Sequence, residues 1–225
     1  MAPRVGVVLF PGSNCELDVL ETVGLLGGDA EIAWHGDTSL DGFDAVVVPG
    51  GFAHGDYLRP GAIARFSPVM GAVVEFARTG GPVVGICNGF QVLTEAGLLP
   101  GALQKNAGLK FVCRTEALRV ETSRSVLTSE VEVGTVLRIP INHFEGNYTC
   151  SPETLAMLRD EDRVVLRYVD NPNGSVDDIA GITNEGRNVV GLMPHPERAS
   201  STLLGSEDGL PLLRSLLAAA AGART

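Results

Sequence analysis

Val83-Val84-Gly85-Ile86-Cys87-Asn88-Gly89-Phe90-Gln91 decides how this chain is read. An apolar, largely β-branched run stops at a cysteine bracketed by glycines. The pattern predicts a strand that turns sharply into a helix with a thiol at the apex, a nucleophile elbow with Cys in the place of Ser. A helix start offers unpaired backbone N–H groups and a positive dipole end. Such groups lower a thiol's ordinary pKa of ~8.5, more so beside an imidazole, and they can hold an oxyanion. An isolated cysteine is more often a small buried hydrophobe. Gly85 and Gly89 reverse that preference, because they permit a tight turn and close backbone approach.

Outward from the elbow, short apolar β-branched runs predict strands over 5–10, 30–34, 45–48 and 83–86, the signature of fully buried parallel strands. Helical spacing falls between them. Leu17, Leu20, Val23 and Leu26 mark a helix over 16–26 that ends at Gly27-Gly28, and a second runs over 63–78 into Thr79-Gly80-Gly81-Pro82. The alternation predicts an α/β fold, a doubly wound and mostly parallel sheet flanked by helices. Ligands bind beyond the carboxyl ends of such strands. Three loops lie there: Pro11-Gly12-Ser13-Asn14, Pro49-Gly50-Gly51-Phe52 and the elbow.

After Gly101 the rhythm changes to an antiparallel excursion, with strands over 109–120, 136–140, 164–168, 179–183 and 189–193. Asn184-Glu185-Gly186-Arg187 is a turn between the last two. Asn171-Pro172-Asn173-Gly174-Ser175 reads as an exposed loop, and 211–221 as a closing helix. No repeat or linker divides the chain, so a single domain over 1–225 is expected.

The 225 residues are 44% hydrophobic and 20% charged, with a net charge of −10. That balance argues against a nucleic-acid or anionic-membrane surface. No apolar run approaches the ~18 residues of a membrane span. The start of the chain reads as a strand rather than a signal segment. Cys15, Cys87, Cys113 and Cys150 are scattered without C-x-x-C spacing, which suggests neither a disulfide framework nor a zinc ribbon. A reduced, cytoplasmic protein is expected.

A nucleophilic thiol needs a base, and the base an orienting group. Of His35, His54, His143 and His195, the last stands out in Met193-Pro194-His195-Pro196-Glu197. The prolines favour extended backbone before them. There, His195 and Glu197 point to the same side, so the carboxylate can hold one ring nitrogen while the other takes the thiol proton. Taken alone, the segment is equally a rigid surface turn; with the elbow it predicts a Cys87–His195–Glu197 triad. His143, beside Glu145, is the rival base. His35 reads as structural, and His54, in the glycine-rich loop, as a contact to ligand or partner. Gly50 and Gly51 let backbone amides approach a substrate. One of them, with the Asn88 amide, would form an oxyanion hole. Neither a P-loop nor a G-x-G-x-x-G fingerprint occurs.

Gly85-Ile86-Cys87-Asn88-Gly89-Phe90-Gln91 and Pro194-His195-Pro196-Glu197 resemble the two signatures of the class-I (triad) glutamine amidotransferases. Pro11-Gly12-Ser13-Asn14-Cys15-Glu16 and the stretch from Pro49-Gly50-Gly51-Phe52 through Gly55-Asp56-Tyr57-Leu58-Arg59 narrow the likeness. They resemble the separate glutaminase subunits, the PurQ type, of phosphoribosylformylglycinamidine synthase. The resemblance spans nearly the whole chain. It implies Cys87 as the nucleophile forming a γ-glutamyl thioester, His195 as base and then acid, and Glu197 as its orienter. It implies Gly51 and Asn88 as oxyanion donors, with glutamine contacts from Gly50, Phe52, Gln91, Asn142 and His143. Pro140-Ile141-Asn142-His143-Phe144-Glu145-Gly146 departs from the family's Pro-Ile-Ala-His-Gly-Glu-Gly at Asn142 and Phe144.

The implied reaction is hydrolysis of L-glutamine to glutamate and ammonia. The ammonia passes to a large synthetase subunit (PurL type) that uses ATP to convert formylglycinamide ribonucleotide to its amidine in purine biosynthesis. A small bridging subunit (PurS type) completes the assembly. No metal or cofactor is implied on this chain; ATP and Mg belong to the synthetase partner. Two other readings compete. A stand-alone thiol hydrolase of the same fold, γ-glutamyl peptidase-like, would need no partner. A non-catalytic binding subunit would be expected to have lost a triad member. Tyr57-Leu58-Arg59 has the chemistry of an interface anchor. Cys15, Cys113 and Cys150 carry no assigned chemistry, Cys15 reading as part of a helix start.

Overall fold

A computed structural model describes residues 1–222. Its elements, in chain order, are β1 (Arg4–Leu9), α1 (Glu16–Leu25), β2 (Asp29–Trp34), β3 (Ala45–Val48), α2 (Pro68–Arg78), β4 (Val83–Ile86) and α3 (Asn88–Glu95). They continue with β5 (Ala102–Gln104), β6 (Val112–Val120), β7 (Val136–His143), β8 (Asn147–Thr149), α4 (Pro152–Asp160), β9 (Val164–Tyr168), β10 (Ile179–Thr183), β11 (Val189–Leu192) and α5 (Leu210–Gly222).

Nine strands form one sheet in the order β2-β1-β3-β4-β11-β10-β9-β6-β7. The first five are parallel neighbours and the rest are added antiparallel. The antiparallel excursion is therefore an extension of the main sheet. β5 and β8 pair separately. In the parallel half the strand order reverses between β1 and β3, the place where a doubly wound sheet opens a crevice. β3 and β4 are buried at every residue, which is why both read as uninterrupted apolar runs. β7 alternates exposed and buried residues over its first half, as a strand with one covered face does. Among the described residues no helix is long and apolar enough to cross a membrane.

The predicted strands 45–48, 83–86, 164–168 and 179–183 match the structure, and β1, β2, β11, α1 and α5 differ by a residue at one or both ends. The helix expected over 63–78 is broken. Ala64–Phe66 is a 3-10 turn, Ser67 is extended (φ −63°, ψ 142°), and α2 starts at Pro68. Proline forces the residue before it out of the helical region and favours itself at a helix start. β6 begins at Val112 rather than 109, because Leu109 turns at φ 49° with its amide on the Asn106 carbonyl. β7 continues three residues past 140 to His143. The loop at 171–175 is only partly exposed: Asn173 and Ser175 are buried, and Asn173 holds the Gly146 carbonyl at 2.8 Å.

Candidate active site

Cys87 sits between β4 and α3 at φ 51°, ψ −104°, a left-handed position that a non-glycine residue occupies only where its surroundings enforce it. Two bonds do so. The Cys87 amide donates to the Leu192 carbonyl at 2.8 Å, and its carbonyl accepts from the Gln91 amide at 3.2 Å. The flanking glycines are required by space. A Cβ on Gly89 would run into the Val48 carbonyl, and one on Gly85 would lie 2.7 Å from the Gly89 backbone. The sharp turn from buried strand to helix leaves the thiol at the carboxyl edge of the sheet. There Cys87 Sγ faces the Asn142 carbonyl at 3.7 Å.

His195 arrives from the far side of β4, after β11, with its amide on the Pro140 carbonyl at 2.8 Å. Its Nδ1 meets Glu197 Oε1 at 2.6 Å, and both side chains are almost fully buried. The expected pair is present, but the backbone differs from the extended form. Pro196–Arg198 is a single 3-10 turn, and His195 before it stands at φ −105°, ψ 86°. Burial disfavours the imidazolium. Glu197, then the two nearby sulfurs of Cys87 and Cys15, outweigh that and raise the His195 pKa well above 6.5. Among the described residues, His195 Nε2 has no hydrogen-bond partner.

The rival base behaves oppositely. Asn106 donates through Nδ2 to the carbonyls of Lys110 and His143, at 2.9 and 3.0 Å. Its Oδ1 therefore faces His143 Nδ1 at 3.1 Å and the Gly146 amide. The network assigns the ring proton to Nδ1 and leaves Nε2 as an acceptor. Burial, then the charge of His195, pushes the His143 pKa down to about 4. His143 is thus a neutral wall of the pocket, and His195 is the stronger proton acceptor.

Cys87, His195, Gly51, Phe52, Gln91, Asn142 and His143 all line one pocket. Gly50 lies behind it. A Cβ there would meet His195 Cε1 at 2.8 Å, Cys15 Sγ at 3.0 Å and Cys87 Cβ at 3.5 Å. Gly51 stands at φ 142° against the backbone of Ser13 and Asn14. Its bridge to Ser13 uses the amides of Phe52 and Asn14, not its own. The Asn88 amide, first in α3, has no helical acceptor. Gln91 is committed within the protein, donating to the Glu145 carbonyl at 2.6 Å and accepting from Asn88 at 2.8 Å. His54 is outside the pocket, tilted against the Phe10 ring, edge-on to His35 and bonded to Ser67.

Five further residues reach the pocket that carried no assigned site role in the sequence: Asn14, Cys15, Asp56, Phe111 and Glu145. Asp56 accepts from Asn88 Nδ2 at 3.0 Å. Burial, partly offset by that bond, raises its pKa to about 6. Cys15 stands at the N-cap position of α1 without capping it through its side chain; its sulfur is turned to the pocket instead. The pocket itself holds about 30 Å³, room for about one or two waters.

A family model for the CobB/CobQ-like glutamine amidotransferase domain matches residues 2–207. The chain is 61% identical over 217 residues to a protein of Rubrobacter xylanophilus named phosphoribosylformylglycinamidine synthase subunit PurQ, covering 96% of this chain and 99% of the relative. The same-named protein of Koribacter versatilis is 53% identical over 228 residues, with 97% and 99% covered. Among solved structures, a chain in the structure of PurLQS from Thermotoga maritima superposes with a TM-score of 0.90 at 43% identity, covering 97% of this chain and 99% of that one.

Proposed function

The chain belongs to the CobB/CobQ-like glutamine amidotransferase family, and on that premise we propose that it is the glutaminase subunit of phosphoribosylformylglycinamidine synthase. It works with PurL-type and PurS-type partners, as its relatives' names and the PurLQS assembly support. The observation that carries the chemistry is the strained Cys87 elbow sharing a pocket with a buried His195–Glu197 pair.

Cys87 gives its proton to His195, and its sulfur attacks the γ-carboxamide carbon of glutamine. The carbonyl oxygen becomes an oxyanion, held by the amides of Gly51 and Asn88. The C–N bond breaks, ammonia leaves with the proton from His195, and a γ-glutamyl thioester remains. Water, deprotonated by the same imidazole, attacks the thioester; glutamate departs and the thiol is restored. Glu197 keeps the ring oriented and stabilises its cationic form. Phe52, Asn142 and His143 would contact the bound glutamine. Gly50 keeps the floor of the site open, and Gln91 acts by fixing Asn88.

The released ammonia passes to the synthetase partner, on which ATP and Mg would act; this reading rests on the sequence, which carries neither a P-loop nor a G-x-G-x-x-G fingerprint. On this reading the isolated chain has low turnover and is activated on assembly. Tyr57 and Leu58, 72% and 91% exposed beside the pocket loop, suit a partner face. The reading places the work in the cytoplasm, where purine synthesis would meet its partners. Glutamate release from glutamine tests it, measured for this chain and Cys87→Ala, alone and with both partners, ATP and ribonucleotide. Cys87-dependent release that rises on assembly is expected. Strong release by the chain alone, unaffected by partners, would favour the stand-alone hydrolase.

A further inference from the structure

We propose that Asp56 and Glu145 hold the α-ammonium group of the substrate, with His143 Nε2 as a third acceptor, and so restrict the site to γ-amides of free α-amino acids. The proposal rests on the glutaminase function proposed above and adds the residues that select its substrate.

Asp56, Glu145 and His143 line the same pocket as Cys87. One chain of hydrogen bonds ties the two acids to the elbow. Asn88, the residue after Cys87, donates through Nδ2 to Asp56 Oδ1 at 3.0 Å and to Gln91 Oε1 at 2.8 Å. Gln91 Nε2 in turn donates to the Glu145 carbonyl at 2.6 Å. The chain occupies one Asp56 oxygen and the Glu145 backbone, and it leaves the Glu145 carboxylate free to meet a ligand. Among the described residues neither acid is ion-paired. The two also feel each other. Burial is the main cause of the raised Asp56 pKa, opposed by the Asn88 bond, and the charge of Glu145 adds to it. Burial raises Glu145 as well, and Lys105 acts the other way; the Lys105 amine rests over the Phe144 ring, 5.9 Å from its centroid. Two half-buried carboxylates in one pocket are an unfavourable pair until a cation joins them.

His143 is an independent sign of a ligand. It is 3% exposed, its Nδ1 is held by Asn106 at 3.1 Å, and Nε2, the nitrogen that Asn106 leaves free, is buried without a partner. With the ring proton on Nδ1, Nε2 is an acceptor, and only a donor completes it. An ammonium group carries three N–H donors and no acceptor. Two carboxylates and a neutral imidazole nitrogen match it in number and in charge, and hydrogen bonds between ionised partners are the strong ones. In glutamine a short aliphatic chain separates the α-ammonium from the carbon that Cys87 attacks. Its acceptors therefore belong in the thiol's own pocket but off the thiol, which is where Asn88 carries Asp56.

The test uses the enzyme assembled with both partners, ATP and ribonucleotide. It compares L-glutamine with the desamino analogue 4-carbamoylbutanoate, read as release of glutamate or of glutarate. Wild type should favour glutamine strongly in kcat/KM. Glu145→Gln and Asp56→Asn should each raise the KM for glutamine by about tenfold or more, the worth of a charge-assisted hydrogen bond, with kcat changed less. Each should cut the preference over the analogue by a similar factor, because the analogue has no ammonium to lose. A merely structural role would slow both substrates alike and keep the preference. Alkylation of Cys87 by iodoacetamide, located by mass spectrometry, checks that each variant keeps its elbow. If Asp56→Asn does not fold or assemble, Glu145→Gln decides, since its carboxylate holds no other part of the protein. A wild type without preference, or an unchanged preference in Glu145→Gln, overturns the proposal and leaves the glutaminase reading standing. If the wild-type assembly releases no glutamate, that reading and this proposal fall together.

Discussion

The Nδ1 of His195 lies 2.6 Å from Oε1 of Glu197, with side-chain exposures of 1% and 0%. In so dry a setting the contact fixes which ring nitrogen faces Cys87 and holds the imidazolium against the cost of its burial. Glu197→Gln keeps the shape and removes the charge. The expected result is a fall in kcat on the order of 10²–10⁴-fold with KM little changed. The His195 pKa should also fall, moving the corresponding inflection of the rate profile to lower pH. Steady-state kinetics of the assembled enzyme across pH checks both, and wild-type kcat in Glu197→Gln would refute the role.

Asp56 gives a second titration. Its carboxyl, raised to about 6 by burial against the opposing Asn88 bond, loses its charge in the wild type as pH falls through that value. The rate should decline there as the Asn88 side chain loses a charged acceptor, and Asp56→Asn should lack the inflection. A raised carboxyl pKa means the folded state binds the proton more tightly than the unfolded one. Stability from this group is full below about 3.8 and is lost as pH rises toward about 6. Asp56→Asn should therefore melt higher than wild type above that pH, and an unchanged or lower melting temperature would count against the buried charge.

His143 has the opposite sign. Its folded pKa of about 4 lies below the ordinary 6.5, so the unfolded chain binds more protons between those values. Stability is lost as pH falls through that window, by on the order of 3 kcal/mol for this one group. His143→Gln retains a donor for Asn106 and does not titrate. Denaturant unfolding at pH values spanning the window should show a shallower acid-side decline in the variant; parallel curves would remove His143 as the cause.

Gly89→Ala tests the elbow's geometry. The added methyl would run into the Val48 carbonyl, which is backbone of a fully buried strand and has no room to yield. Overpacking of this kind costs about 1–3 kcal/mol or more. A lowered melting temperature with loss of glutaminase activity is expected. Gly24→Ala, with nothing within 4 Å of its Cβ position, is the control that should keep both.

Much of this was readable before any coordinates. Cys87 with Gly85 and Gly89, and His195 with Glu197, stand two residues apart, a spacing that encodes local backbone geometry. The buried strands β3 and β4 are visible as unbroken apolar runs. α4 carries a local start signal as well: Ser151 caps it by accepting from the Thr154 amide, and Pro152 stands in its first turn. β5 and β8 span three residues each, too short for a period to register.

What the sequence by itself determined was therefore local: the elbow, the buried parallel strands and the histidine–carboxylate pair, because each depends on neighbours a few residues away. Only the tertiary structure decided which groups meet. Cys15 and Arg198 join across 183 positions, and Asp56 reaches Asn88 across 32. The sequence already favoured His195 over His143 as base; the tertiary structure supplies the physical reason, one pKa driven up by Glu197 against its burial and the other down by desolvation. Those forces act through space, and their sign is set by packing that no spacing along the chain records.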